Sequence, residues 1–217
     1  MSTTFSLDRT QGALFDTMDR RFDAVRRSWL SPNAAAEVSG PREAVDAIGA
    51  VTWLQRESGH PLRVPIGVIG PREASDAQCA VALEVGELLS RCGFSVVCGG
   101  RQGVMQAVCE GVARNGGVAI GLLPDAEPSL ANHFVSVVIA TGIGEARNAL
   151  IARAAFCLIA IGDSFGTLSE VALGRQFGKL VIGLEGAAQV EGVRHVGTAQ
   201  AAVAVVSELV LGASESG

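Results

Sequence analysis

The residues best placed to do chemistry lie between Thr141 and Glu170. Phe156–Ile161 (FCLIAI) is a short, wholly apolar run, as suits a strand covered on both faces of a parallel sheet. Gly162-Asp163-Ser164-Phe165-Gly166-Thr167 follows at once and opens a helix. A strand, a small permissive turn and a helix start aim free backbone N–H groups and the positive end of a helix dipole at one spot. That arrangement binds anions, phosphate above all. Arg147 sits at the start of the preceding helix, where the dipole disfavours a cation, so an anionic partner is expected for it. That partner is either Glu145 or Asp163, or the phosphate of a ligand. Glu170 has two readings as well. Thr167-Leu168-Ser169-Glu170 spells a capping box, with Thr167 as the cap and Glu170 reaching back to it. Otherwise Glu170 faces a ligand, binding hydroxyls or activating water at an oxocarbenium-like centre.

These residues need a scaffold, and strands and helices alternate from Val64 onward. Strands are predicted at 64–70, 94–98, 118–123, 134–140, 156–161 and 179–184, with a short seventh at 193–196. Helices are predicted at 74–92, 104–115, 145–155, 167–177 and 199–211. Near-continuous apolar strands alternating with helices mean an α/β, Rossmann-like, doubly wound and mostly parallel sheet with helices on both faces. Its ligands bind beyond the strand carboxyl ends. Three glycine loops fall there: Gly67 to Gly70, Gly99-Gly100-Arg101-Gln102-Gly103, and Gly162 to Gly166. Gly70, Gly99, Gly100, Arg101 and Gly103 are therefore candidate ligand-binding residues beside Asn148, Asp163, Ser164, Phe165, Gly166 and Thr167. No loop fits the dinucleotide fingerprint or the P-loop pattern, so an ordinary NAD enzyme or P-loop NTPase is not expected.

Residues 1–60 differ in pattern. Leu14, Phe15, Met18, Phe22, Val25 and Trp29 recur at helical spacing, and 42–55 reads as a second helix. The chain is therefore divided into an N-terminal helical extension, 1–60, and a Rossmann-like domain, 61–217. Its 217 residues are 48% apolar and 18% charged, with net charge −5. Nothing advertises a basic face for nucleic acid, and no apolar run is long enough to span a bilayer. No signal-peptide pattern opens the chain, and the five cysteines form no CxxC pair; buried thiols in a reducing cytoplasm are expected. His60, His133 and His195 form no metal-ligand spacing, so neither a metal nor a resident cofactor is expected.

The motifs GGRQGVMQAV (99–108), LAN (130–132), TGIGEARNALI (141–151), LIAIGDSFGTLSEVAL (158–173) and GKLVIGL (178–184) occur in one order. Together they resemble the LOG-like proteins of the Rossmannoid SLOG superfamily, long mislabelled "lysine decarboxylase". The nearest branch is bacterial, without an assigned activity, and related to the molybdenum cofactor carrier protein. LOG enzymes are phosphoribohydrolases that cleave a nucleoside 5′-monophosphate to free base and ribose 5-phosphate. Their signature is PGGxGTxxE with an upstream arginine. The resemblance makes Arg147 and Glu170 the catalytic pair and gives Gly166 and Thr167 to the phosphate. It also implies a homodimer or higher homo-oligomer. The chain departs from the signature in Gly162-Asp163-Ser164, which replaces PGG, and in Asn148, where LOG enzymes usually carry lysine. These departures favour binding of a phosphorylated, nucleotide-like ligand, as a carrier or sensor, over hydrolysis. No residue resembles a pyridoxal-phosphate lysine site, so lysine decarboxylation is not expected.

Overall fold

The computed structural model describes residues 4–31 and 40–213. By its contacts the chain forms two compact units. One runs to Leu62 and resumes at Val203; the other is Arg63–Ala202.

In the larger unit, strand residues alternate between two faces, and both faces must be apolar because both are covered. Ile66–Ile69 (β6), Leu158–Ile161 (β10) and Val181–Leu184 (β11) are buried at every position, as is Val96–Cys98 (β7). With Ala119–Leu123 (β8), Val137–Ala140 (β9) and Val193–His195 (β12) they form one sheet of order β12-β11-β10-β6-β7-β8-β9. Every pairing in it is parallel. On one face Ile69, Val97, Leu122, Leu158, Ala160 and Val181 meet Ile151 and Ala152 of helix α4 (Asn148–Ala154) and Val171 of helix α5 (Phe165–Gln176). Helices α2 (Asp76–Cys92) and α3 (Val104–Arg114) pack together and cover the other face. Helix α2 begins in a full capping box between Ser75 and Gln78 and ends at Gly93 in the left-handed region. Strand β9 is an edge: Val137, Val138 and Ile139 are exposed.

Strand order reverses between β6 and β10. From β6 the chain builds outward through β7, β8 and β9, then crosses back to lay β10 on the other side of β6. Diverging connections leave a crevice beyond the carboxyl ends of that central pair.

The N-terminal segment corrects the helix predicted over 14–29. It is β structure: Thr4–Asp8 (β1), Ala13–Phe15 (β2), Phe22–Asp23 (β3), Ser28–Trp29 (β4) and Glu43–Asp46 (β5). Strands β2, β1 and β5 form an antiparallel sheet, and β3 pairs with β4. Three aspartates make the turns. Asp8 Oδ1 accepts the N–H groups of Thr10 and Gln11, Asp16 Oδ1 those of Met18 and Arg20, and Asp23 Oδ1 those of Val25 and Arg26. Phe15 and Phe22 are buried, while Trp29 is half-buried and stacks on Phe5. Met18 and Val25 stand on turns at 64% and 70% exposure, so no continuous apolar helix face exists. The second predicted helix is shorter than expected, Ala47–Arg56 (α1), with β5 taking its first residues. The periodicity ends the first predicted helix near Ser31-Pro32, of which Pro32 lies outside the described residues. The last helix, α6, is Ala199–Val210.

Candidate ligand-binding site

Beyond Ile161, Gly162 turns the chain at φ +68° and Ser164 caps α5. Ser164 Oγ accepts the Thr167 N–H at 3.1 Å and lies 2.9 Å from Thr167 Oγ1. Thr167 is therefore not the cap, and the capping-box reading of Glu170 fails: Glu170 lies deeper in α5. The N–H groups of Phe165 and Gly166 fall in the first turn, where no intrahelical acceptor exists. Both residues line a cleft of about 1090 Å³. Gly70 and Pro71 after β6, residues 163–167, further residues of α5 and the 145–149 segment line it, at the predicted end of the sheet.

Arg147 closes a 3-10 turn, Gly144–Arg147, that leads into α4. The helix predicted at 145–155 is thus a turn followed by a shorter helix. Both Arg147 and Glu170 line the cleft, and their side chains are 6% and 8% exposed. Nη1 of Arg147 donates to Asn148 Oδ1 at 2.6 Å and lies 3.4 Å from Glu170 Oε1. Its Nε is buried without an acceptor. A buried cation and helix N–H groups without an intrahelical acceptor, lining one cleft, are groups that can hold an oxyanion. The expected bland partners, Glu145 and Asp163, are both exposed.

Burial pushes the Glu170 carboxyl up to about 8. The Arg147 cation opposes this, and Cys98 and Glu145 add to it. Geometry alone would suggest an ion pair that keeps Glu170 ionised. Desolvation prevails because the contact is long and the carboxylate has given up nearly all its water. Glu170 is thus largely neutral at pH 7.

The other candidates separate by position. Gly70, Asn148, Asp163, Ser164, Phe165, Gly166 and Thr167 line the cleft. Phe165 is 95% exposed at its mouth. Gly99, Gly100, Arg101 and Gly103 are not among the lining residues. Arg101 Nη1 instead pairs with Asp125 Oδ2 at 2.7 Å. Gly99 and Gly103 act from behind. A β-carbon on Gly99 would lie 2.6 Å from Arg147 Nη2, and one on Gly103 would lie 2.3 Å from the Arg72 carbonyl oxygen. Gly99 makes room for the guanidinium and Gly103 for the 71–72 turn. Sequence reasoning missed Glu73, Met105 and Ser169, which also line the cleft. Met105 sits in an apolar helical stripe and reads as core. Ser169, three residues after Gly166 on one helix, carried a usable signal. Cys98 and Cys109, with sulfurs 3.5 Å apart, are buried behind the site, and none of the five cysteines is in a disulfide. Among the described residues no cluster of three or more His, Cys, Asp or Glu side chains could hold a metal ion. Among them, too, no helix is long and apolar enough to cross a membrane.

The fold has counterparts among solved structures. The molybdenum cofactor binding protein from the phototrophic bacterium Rippkaea orientalis superposes with a TM-score of 0.65 at 29% identity, covering 69% of this chain and 99% of that one. The molybdenum cofactor carrier protein of Chlamydomonas reinhardtii gives 0.62 at 30% identity, covering 68% and 99%. An uncharacterised protein of Archaeoglobus fulgidus is 38% identical over 138 residues, 64% of this chain and 91% of that protein. Residues 63–210, which include every residue of the cleft, match the SLOG cluster4 family, and the chain belongs to that family.

Proposed function

We propose that the cleft binds a phosphorylated, nucleotide-like small molecule, and that the protein is its carrier or sensor. The phosphate sits on the first turn of α5 and against Arg147, and the rest of the ligand extends past Phe165. The observation that carries this reading is the buried Arg147 side chain, which lines the cleft at the point where strand order reverses and has an Nε without an acceptor. Likeness at 29–30% identity to a binding protein and a carrier of molybdenum cofactor supports a cargo of that type, a phosphorylated ring system, for this chain. Cytoplasmic placement, and no partnership with nucleic acid or membrane, belong to the same proposal. So does a homodimer. Leu150 of α4 and Phe165 and Leu168 of α5 are exposed apolar residues on two helices that pack together, and a second copy would cover them. A Leu168→Glu variant that keeps the native mass in solution would remove that face from the interface.

The test is calorimetric titration with adenosine 5′-monophosphate and with adenosine. The monophosphate binds and adenosine does not; Arg147→Gln abolishes the difference. Equal binding of the two overturns the phosphate assignment. A second reading, nucleoside 5′-monophosphate phosphoribohydrolase, is favoured by one observation: Arg147 and Glu170 line the same cleft. It requires ribose 5-phosphate release that disappears in Glu170→Gln. The carrier reading requires bound monophosphate to be recovered intact.

A further inference from the structure

We propose that Asn148 is a positioning residue for Arg147, a neutral wedge that keeps the guanidinium from closing onto Glu170 and leaves its charge free for an anion in the cleft. The inference rests on the phosphate-binding reading.

One nitrogen of Arg147 has two acceptors within reach. The short contact, 2.6 Å, goes to the Asn148 amide oxygen; the carboxyl oxygen of Glu170 is left at 3.4 Å, the outer limit of a hydrogen bond. An ionised carboxylate would be the stronger acceptor for a guanidinium, but the buried Glu170 carboxyl is largely neutral at pH 7. The amide prevails because α5 holds it in place. Asn148 is 4% exposed. Its Nδ2 donates to Ser169 Oγ at 2.9 Å and points to the Gly166 carbonyl oxygen at 3.5 Å. Ser169 Oγ in turn donates to that same carbonyl at 2.7 Å. With the NH₂ group engaged on α5, the amide oxygen faces Arg147. Turning the amide over would aim two donors at the guanidinium and an oxygen at a carbonyl.

A neutral acceptor satisfies one N–H without cancelling charge. Nη2 is packed toward the floor at Gly99, and Nε stays idle. A carboxylate at position 148 would neutralise the cation, and a side chain without an acceptor would release it to Glu170. The groups that act on Glu170 are Arg147 and Glu145 from the 3-10 turn and Cys98 from the end of β7. Arg72, Glu73 and Asp163 line the rest of the cleft.

The experiment uses the full chain, adenosine 5′-monophosphate as the probe, and the variants Asn148→Ala and Asn148→Asp. Affinity is measured by calorimetry from pH 6 to 9. The titration of Glu170 in the unliganded protein is followed by carboxyl-carbon NMR. In Asn148→Ala the guanidinium closes onto Glu170. The carboxyl then titrates lower than in the wild type, and affinity falls about tenfold or more, the equivalent of one hydrogen bond to a charged group. In Asn148→Asp the cation is neutralised from the other side. Affinity falls again, but Glu170 titrates higher. A purely structural role would not move the carboxyl in opposite directions. Glu170 titrating alike in all three proteins overturns the inference, as does Asn148→Ala binding the probe with wild-type affinity. Failure of the wild type to bind the probe overturns the phosphate reading; the Glu170 titrations then decide the role of Asn148 separately.

Discussion

Glutamine at position 170 removes a proton-binding site while keeping its shape, and the effect on stability should depend steeply on pH. In the folded chain Glu170 loses its proton near pH 8; its ordinary value is 4.5. Between these the folded state holds a proton that the unfolded chain has released, so folding weakens as pH rises. At about 1.4 kcal/mol per pH unit, the whole interval amounts to about 5 kcal/mol as an upper figure. The contribution is complete below pH about 4.5 and gone above about 8. Glu170→Gln has no such proton. Urea unfolding of both proteins at each pH from 5 to 9 gives the difference directly. The wild type should lose about 3–4 kcal/mol relative to the variant from pH 5 to pH 8. Curves that stay parallel would refute the reasoning. They would mean that Glu170 is ionised in the fold and that the 3.4 Å contact to Arg147 is a full ion pair.

Gly99→Ala should cost little stability, because its β-carbon meets the flexible ends of Arg147 and Met105; displacement of the guanidinium should still weaken adenosine 5′-monophosphate binding about tenfold, measured by calorimetry beside thermal melting. Gly70→Ala should do the reverse. Its β-carbon would lie 2.6 Å from the Ile161 carbonyl oxygen and from Val104 Cγ1, a clash that costs about 2–3 kcal/mol by urea unfolding. Asp163→Asn removes an exposed carboxylate from the cleft mouth; affinity for the monophosphate should rise about two- to fivefold, a gain that fades as salt is raised to about 0.5 M. Ser164→Ala deletes the cap of α5 and should lower stability by about 1 kcal/mol.

The large unit was readable in the sequence because its signals agree at every level. FCLIAI and KLVIGL are too short for helices and too apolar for half-exposed strands, and glycine follows or ends the flanking strands. The seven strands appear where predicted. The N-terminal strands were hidden by coincidence of spacing. Phe15, Phe22 and Trp29 recur every seven residues, which fits two helical turns equally well as two strands separated by turns. The deciding signal was Asp16 and Asp23 at turn starts, whose side chains cap backbone N–H groups and break the period. In the site, the residue types of Arg147 and Glu170 were legible and their mutual arrangement was not. No spacing rule places Asn148 between them, because that contact joins the starts of two helices 18 or more residues apart in the chain.

Placing β10 against β6 has a consequence for how the protein comes to exist. Leu158 pairs with Gly67, about ninety residues earlier in the chain. The two walls of the cleft therefore cannot meet until the ribosome has released nearly everything through α5, and the loop that must close is long. Strands β6 to β9 precede β10 in the chain, so the edge of β6 that Leu158–Ala160 pairs with has no partner until β10 has been made. A ligand that bridges the 70–71 turn and the start of α5 binds only the finished chain, and it should draw late folding intermediates toward the native state by mass action.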